Sequence, residues 1–272
     1  MTSATEPTRL GEEDLLVVRG LHRTFARPSG FLSPPLETVA LKGVSFGLRR
    51  GEILGVVGES GCGKSTLARI IVGLETADAG SVHLGGSALI DVEKRQSVPA
   101  SRRGIQMVFQ DPYASLNPRM RVQDIVGEGL AIAGKLSKAE RQERVSAMLA
   151  TVGLSPQDGE RYPHQFSGGQ RQRIGIARSL VMQPRLLVAD EAVSALDVSV
   201  QMQVLNLMLD IRERLGISMM FITHNIGVVE YLCDRVIVLS QGGIVESGET
   251  RSVIADPQHP YTQRLIAAVP QL

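Results

Sequence analysis

Short apolar runs alternate with polar, glycine-punctuated stretches along most of the chain. Leu15-Leu16-Val17-Val18 begins a strand that ends near Phe25, and Val39 to Leu48 supplies another, with Leu41, Val44, Phe46 and Leu48 on its apolar side. Between them, residues 26–37 hold Pro28, Gly30, Pro34 and Pro35, which predicts a long surface loop. Arg49-Arg50-Gly51-Glu52 turns into the apolar run Ile53-Leu54-Gly55-Val56-Val57. Gly80 to Gly86 reads as a strand ending in a hairpin turn, and Ile105 to Phe109 as a short apolar strand. Leu186 to Ala189, Met219 to Ile222 and Val236 to Leu239 are continuously apolar, as strands buried on both faces are. Gln241-Gly242-Gly243 then turns into Ile244-Val245.

Helical spacing separates these strands. Leu67 to Val72 follows a glycine-rich loop. Ser137 with Glu140 is a capping-box signature, continued by Val145, Met148, Leu149 and Val152 and stopped at Gly153. Ile174, Ala177, Arg178 and Val181 follow Ser167-Gly168-Gly169, and Val204, Met208, Ile211 and Leu215 form a stripe ending at Gly216. Gln110-Asp111-Pro112 and Pro118 predict irregular chain up to about Met120. Strands alternating with helices argue for a parallel α/β core, interrupted by an all-helical stretch from about Arg121 to Met182.

Composition narrows the partners. The 272 residues are 43% hydrophobic and 21% charged, enough for a sizeable core. A net charge of +1 carries no strong electrostatic footprint for nucleic acid. Two cysteines make no disulfide framework, and a reducing compartment follows. No apolar stretch approaches the roughly 20 residues that span a bilayer. The polar first residues, a flexible tail, lack the order of a signal peptide. A cytoplasmic protein that meets membranes through partners is expected.

The chemistry centres on Gly58-Glu59-Ser60-Gly61-Cys62-Gly63-Lys64-Ser65-Thr66, set between strand and helix with the spacing of a phosphate loop. Glycines let backbone N–H groups turn inward around a polyphosphate, and the following helix aims its positive end at the same anion. Lys64 is expected to reach the outer phosphates and the Ser65 hydroxyl to ligate magnesium. Asp190 and Glu191 end the strand Leu186 to Ala189, where ligands bind in such sheets. Asp190 suits magnesium and Glu191 a general base, although either is by itself also an ordinary surface carboxylate. His224 follows another strand end, placed for the γ-phosphate or, taken alone, for a neighbouring loop. His22, His83, His164 and His259 read as structural or surface residues. Ser167-Gly168-Gly169-Gln170 opens a helix. In isolation it is a glycine-rich N-cap, and beside a phosphate loop it is a second anion site. One chain has no need of two such sites, which suggests that the second serves a nucleotide held by another subunit.

In this order, Gly58 to Thr66, Gln110, Ser167 to Gln170, Asp190-Glu191, Ser194-Ala195-Leu196-Asp197 and His224 resemble the ATP-binding subunits of ABC transporters over nearly the whole chain. Phe109-Gln110-Asp111-Pro112-Tyr113-Ala114-Ser115-Leu116-Asn117-Pro118-Arg119-Met120, Arg161-Tyr162-Pro163-His164 and His259-Pro260-Tyr261-Thr262 resemble the oligopeptide and dipeptide importer branch, and its second ATPase more than its first. The resemblance implies a phosphate-loop NTPase core with a mostly parallel sheet, an antiparallel β subdomain and an inserted helical subdomain. It divides the chain into a tail over 1–14, an ATP-binding domain over 15–252 with the helical part at about 111–182, and an extension over 253–272.

It further implies adenine stacking by Phe25, magnesium and water contact by Gln110, a dimer-interface role for Asp197, and nucleotide closure by the partner's signature segment. The expected cofactors are ATP and magnesium. The expected partners are a second, different ATPase subunit, two integral membrane permeases and an extracytoplasmic substrate-binding protein, with this chain on the cytoplasmic face of the inner membrane. Peptides are the expected cargo; nickel, glutathione or another small solute is the alternative, and a soluble non-transport ATPase the more distant one. Ala192 stands where the family has proline, Asn225 where aspartate is common, and Phe166 where leucine is more usual. No catalytic group is lost, so activity is expected. Without cysteines near Leu272, no iron–sulfur cluster is expected.

Overall fold

A computed structural model describes residues 11, 14–27, 36–99 and 104–268. In chain order the strands are β1 (Asp14–Arg27), β2 (Leu36–Arg49), β3 (Ile53–Val57), β4 (Ala79–Leu84), β5 (Ser87–Asp91), β6 (Gln96–Ser97), β7 (Ile105–Val108), β8 (Leu186–Asp190), β9 (Ser218–Ile222), β10 (Arg235–Ser240) and β11 (Gly243–Glu249). The helices are α1 (Lys64–Val72), α2 (Pro112–Ser115), α3 (Val122–Ala133), α4 (Lys138–Thr151), α5 (Gly168–Leu180), α6 (Val198–Leu215), α7 (Ile226–Leu232), α8 (Thr250–Ala255) and α9 (Pro260–Ala267). Two compact units emerge: Met1–Arg103 with Met220–Leu272, and Gly104–Met219.

The first unit holds a five-stranded antiparallel sheet in the order β2-β1-β4-β5-β6. In β1 and β2 the alternation of buried residues skips a beat, from Val18 to Leu21 and from Leu41 to Val44, all of them buried. Each skip coincides with a register shift between the two strands. The extra residues are Gly20 and Gly43, both at positive φ, so each strand bulges and returns its apolar face to the core. The strand pairing reaches Arg27 and Leu36, so both ends of the expected loop are strand; residues 28–35 lie outside the described residues. So do most of the expected tail and residues 269–272.

The same unit carries the strands β11-β10-β3-β9 of a mixed sheet, with β3 and β10 parallel and β11 antiparallel. β3 and β9 are buried at every residue, which explains their unbroken apolar sequences. Arg235 and Glu52, both buried, form an ion pair at 3.0 Å, and Arg235 also donates to the Gly47 carbonyl.

In the second unit β7 and β8 pair in parallel, Ile105 opposite Leu186 through Val108 opposite Ala189. Helix α4 begins at the expected box: Ser137 Oγ accepts from the Glu140 amide, and the Glu140 carboxylate accepts from the Ser137 amide. One expectation is corrected. The stretch after Gln110 is not irregular throughout, because α2 makes one helical turn there. Asp111 Oδ1 accepts from the Ala114 amide at 3.2 Å, and proline at the first helical position has no amide to leave unpaired. Arg178 of α5 ties down the end of that turn, donating to the Ser115 carbonyl at 2.6 Å. Leu215, the last residue of the α6 stripe, is exposed. Among the described residues no helix is long and apolar enough to cross a membrane.

Candidate functional site

The first unit positions the phosphate loop between β3 and α1. Gly58 and Gly63 lie at φ 152° and 111°, and a Cβ there meets the Leu239 carbonyl oxygen at 2.1 Å and the Ala40 carbonyl oxygen at 2.3 Å. Only glycine passes both points, so the loop's path is fixed by backbone packing as well as by dihedral preference. Lys64, 6% exposed, curls over the loop and donates to the carbonyls of Gly58 (2.6 Å) and Glu59 (2.9 Å). Burial pushes the Cys62 thiol up while the Lys64 ammonium draws it down. The net rise keeps it a thiol, so Cys62 serves as packing within the loop. Ser65 and Thr66 occupy the first turn of α1, which carries no acidic residue. A helix start free of carboxylates suits a polyphosphate. Ser60 and Gly61 are exposed at the loop tip.

His224 follows β9 and is exposed; Thr223 before it donates its amide to the Val56 carbonyl at 3.1 Å. Asn225 is the N-cap of α7, its Oδ1 accepting from Gly227 (2.9 Å) and Val228 (3.4 Å). Aspartate caps in the same way, so this departure from the family pattern keeps the local structure. Phe25, near the end of β1, is half-buried, with the Arg23 guanidinium 4.7 Å from its ring centroid. Arg23 is in turn held by Glu75 and Asp78.

In the second unit, Asp190 ends β8 and is buried. Glu191 next to it has φ 52°, a left-handed conformation uncommon for a non-glycine residue. The turn that follows explains how it is held. Ser194 donates both its amide (3.1 Å) and its hydroxyl (2.9 Å) to the Glu191 carbonyl. Gln110 Nε2 reaches the same hydroxyl at 3.4 Å, so Gln110 and the Glu191 turn come together although they lie 81 positions apart in the chain. Ala192 and Val193 are buried within that turn. Ser194 belongs to the family motif in the sequence but has no role assigned there: a serine in a loop carries no local sign that it joins two remote segments.

The signature segment forms the start of α5. Ser167 Oγ accepts from the Gln170 amide (3.3 Å) and Gln170 Oε1 from the Ser167 amide (3.0 Å), a complete capping box. The two glycines differ. A Cβ on Gly169 meets Val200 Cγ1 of α6 at 2.4 Å, whereas one on Gly168 finds only Leu196 Cδ2 at an ordinary 3.6 Å. Phe166 is buried, with the Arg161 guanidinium 4.3 Å from its ring centroid. Asp197 stands at the N-cap of α6 without a side-chain capping bond, beside Val198, which is 79% exposed. The hydroxyl, amide and carboxylate of Ser65, Gln110 and Asp190 are hard oxygen donors of the kind magnesium prefers.

A strand, a glycine loop closed by lysine and a helix start define a phosphate-loop nucleotide-binding domain. Residues 41–194 match the family model described as "ABC transporter". The chain belongs to that family, as an ATP-binding subunit whose ATP hydrolysis is coupled to transport. It is 48% identical to the dipeptide transport ATP-binding protein DppF of Haemophilus influenzae, over 95% of this chain and 79% of that one. To DppF of Escherichia coli it is 47% identical, over 96% and 78%. Among solved structures, cbiO1 from Clostridium perfringens, part of the ABC transporter complex cbiONQ, superposes with a TM-score of 0.76 at 29% identity, covering 90% of this chain and 92% of that one. An ATP-binding cassette solved as a dimer in a post-hydrolysis state, bound to ADP and Pi, gives 0.72 at 28% identity, covering 87% and 99%. The expected α/β fold, with one antiparallel and one mixed sheet, is therefore the fold of ABC ATPase cassettes.

Proposed function

We propose that this chain powers import of dipeptides or short oligopeptides, as one of two different ATPase subunits beneath a pair of membrane permeases fed by an extracytoplasmic binding protein. The observation that carries this reading is the 46–49% identity, over nearly the whole chain, to proteins named for dipeptide or di/tripeptide transport or for peptide import. The chain works from the cytoplasmic face of the inner membrane.

Each site residue then has one task. Phe25 stacks on adenine, and Gly58 to Thr66 wrap the phosphates, with Lys64 moving from the loop carbonyls to the outer phosphates. Ser65, Gln110 and Asp190 hold magnesium, which when bound neutralises charge on the phosphate oxygens. Glu191 accepts a proton from the attacking water, and His224 bonds the γ-phosphate. Ser167 to Gln170 cover the nucleotide of the partner ATPase, whose own signature segment covers the nucleotide held here, and Asp197 lies at their interface. Phosphoryl transfer asks mainly for such positioning and charge stabilisation.

The test is Glu191→Gln in the transporter assembled with its permeases. ATP binding is expected to persist while hydrolysis and dipeptide uptake fall by about 10²–10⁴, the range of a lost general base. Normal turnover would refute the role of Glu191. Full hydrolysis stimulated by a non-peptide solute, and not by dipeptides, would refute the cargo.

A further inference from the structure

We propose that Tyr261 is a positioning residue for the phosphate loop: its hydroxyl holds the Gly58–Glu59 peptide in the orientation that receives nucleotide phosphates. The proposal rests on Gly58 to Thr66 being the nucleotide site. The family match ends at residue 194, well before Tyr261.

The geometry concerns one peptide unit. Its carbonyl, on Gly58, accepts from Lys64 Nζ at 2.6 Å. Its N–H, on Glu59, donates to Tyr261 Oη at 2.8 Å. The unit is thus gripped at both ends, by an ammonium from the loop's own helix and by a phenol from a helix 202 residues further along. Such a grip matters most here. Gly58 has no side chain to pack, and the Leu239 carbonyl forbids it one, so only contacts to its backbone can hold this joint of the loop. Once Lys64 turns toward phosphate, the Gly58 carbonyl loses its ammonium and the tyrosine grip on the N–H remains.

The tyrosine is itself firmly placed. The buried Glu246 carboxylate accepts from the amides of Gln258 (2.8 Å) and His259 (3.1 Å), fixing the turn before α9. His259 Nδ1 then caps α9 by accepting from the Tyr261 amide at 3.1 Å, and Gln263 Nε2 closes the same turn on the Pro257 carbonyl. Tyr261 is 8% exposed, and burial pushes its phenol above the ordinary range, so it stays neutral and its oxygen remains a fixed acceptor. The segment His259-Pro260-Tyr261-Thr262 therefore has a physical purpose: histidine caps, proline starts the helix, and tyrosine reaches the loop.

The experiment uses the full chain with Tyr261→Phe, which keeps the ring and removes the oxygen. The Kd and KM for ATP are expected to rise about two- to tenfold, the span of one hydrogen bond's net free energy. The loss should fall on KM rather than kcat, the melting temperature should hold, and exchange of the Glu59 amide proton should accelerate. An unchanged ATP Kd, or a lowered melting temperature with ATP affinity intact, overturns the proposal. In the unmodified chain, a Glu59 amide that exchanges as fast as the exposed Gly61 amide overturns it too. Lys64→Ala serves as the separate control: if that variant binds ATP normally, the phosphate-loop reading fails, whatever Tyr261 does.

Discussion

Helices α4 and α5 begin with the same device and use it differently. Both open on a serine that accepts from the amide three residues on, and both return a side chain from that third residue to the serine amide. In α4 the returning group is the Glu140 carboxylate, which places a negative charge against the positive helix end. In α5 it is the neutral Gln170 amide, and the first turn carries no acid. Between the capping residues α4 has Lys138 and Ala139, while α5 has two glycines. The first helix start is electrostatically closed by its own chain. The second is capped for folding, yet keeps its dipole and its bare backbone available to an anion. A motif can therefore be structurally complete and still be shaped for a ligand.

The largest test of this contrast is Gly168→Asp. A Cβ there meets nothing closer than 3.6 Å, and an acid in the first turn favours a helix, so the melting temperature should hold or rise. Hydrolysis by the assembled transporter should nevertheless fall on the order of tenfold or more, because a carboxylate would face the partner's triphosphate. Retained hydrolysis would mean that α5 is only a helix start.

Next in size is Gly169→Ala, whose methyl collides with Val200 and should cost the fold about 1–3 kcal/mol in urea unfolding. Gly168→Ala in the same assay should stay within about 0.5 kcal/mol. Equal losses at the two positions would erase the distinction drawn between a packing glycine and a ligand-facing one.

The smallest effect separates the caps by pH. Bonding to Ser137, through its hydroxyl first and its amide second, holds the Glu140 carboxyl below its ordinary value. A folded-state value below the unfolded one adds stability above the unfolded pKa and loses it as pH falls through the folded pKa. Glu140→Ala should therefore lower the melting temperature at neutral pH and make little difference in acid beneath the carboxylate range. Gln170→Ala should show no such dependence. Thermal melts of both variants across pH 7 to 3 compare them directly.

Much of this molecule is legible from short sequence windows. The phosphate loop, the Ser137 capping box, the buried strands and the glycine stop after α4 each depend on residues within a few positions of one another, and each carries a fixed period or spacing. The one-turn helix after Gln110 was hidden because two prolines argue against helix, although proline is welcome at a helix's first position. The skip from Leu41 to Val44 in β2 stands in the apolar pattern, but the matching skip in β1 and their cause, an extra glycine in each strand, appear only once the strands are paired.

What the linear chain determined is the chemistry on offer: which groups suit an anion, where helices start, and which strands are buried, since all of these follow from local spacing and side-chain type. Only the tertiary structure decided which remote groups meet. Gln110 finds Ser194, Gly169 must clear Val200, and Glu59 is gripped by Tyr261. No period encodes such contacts, because they depend on how the backbone is routed through space, and a hydroxyl or a methyl has a role only once something stands within bonding distance of it.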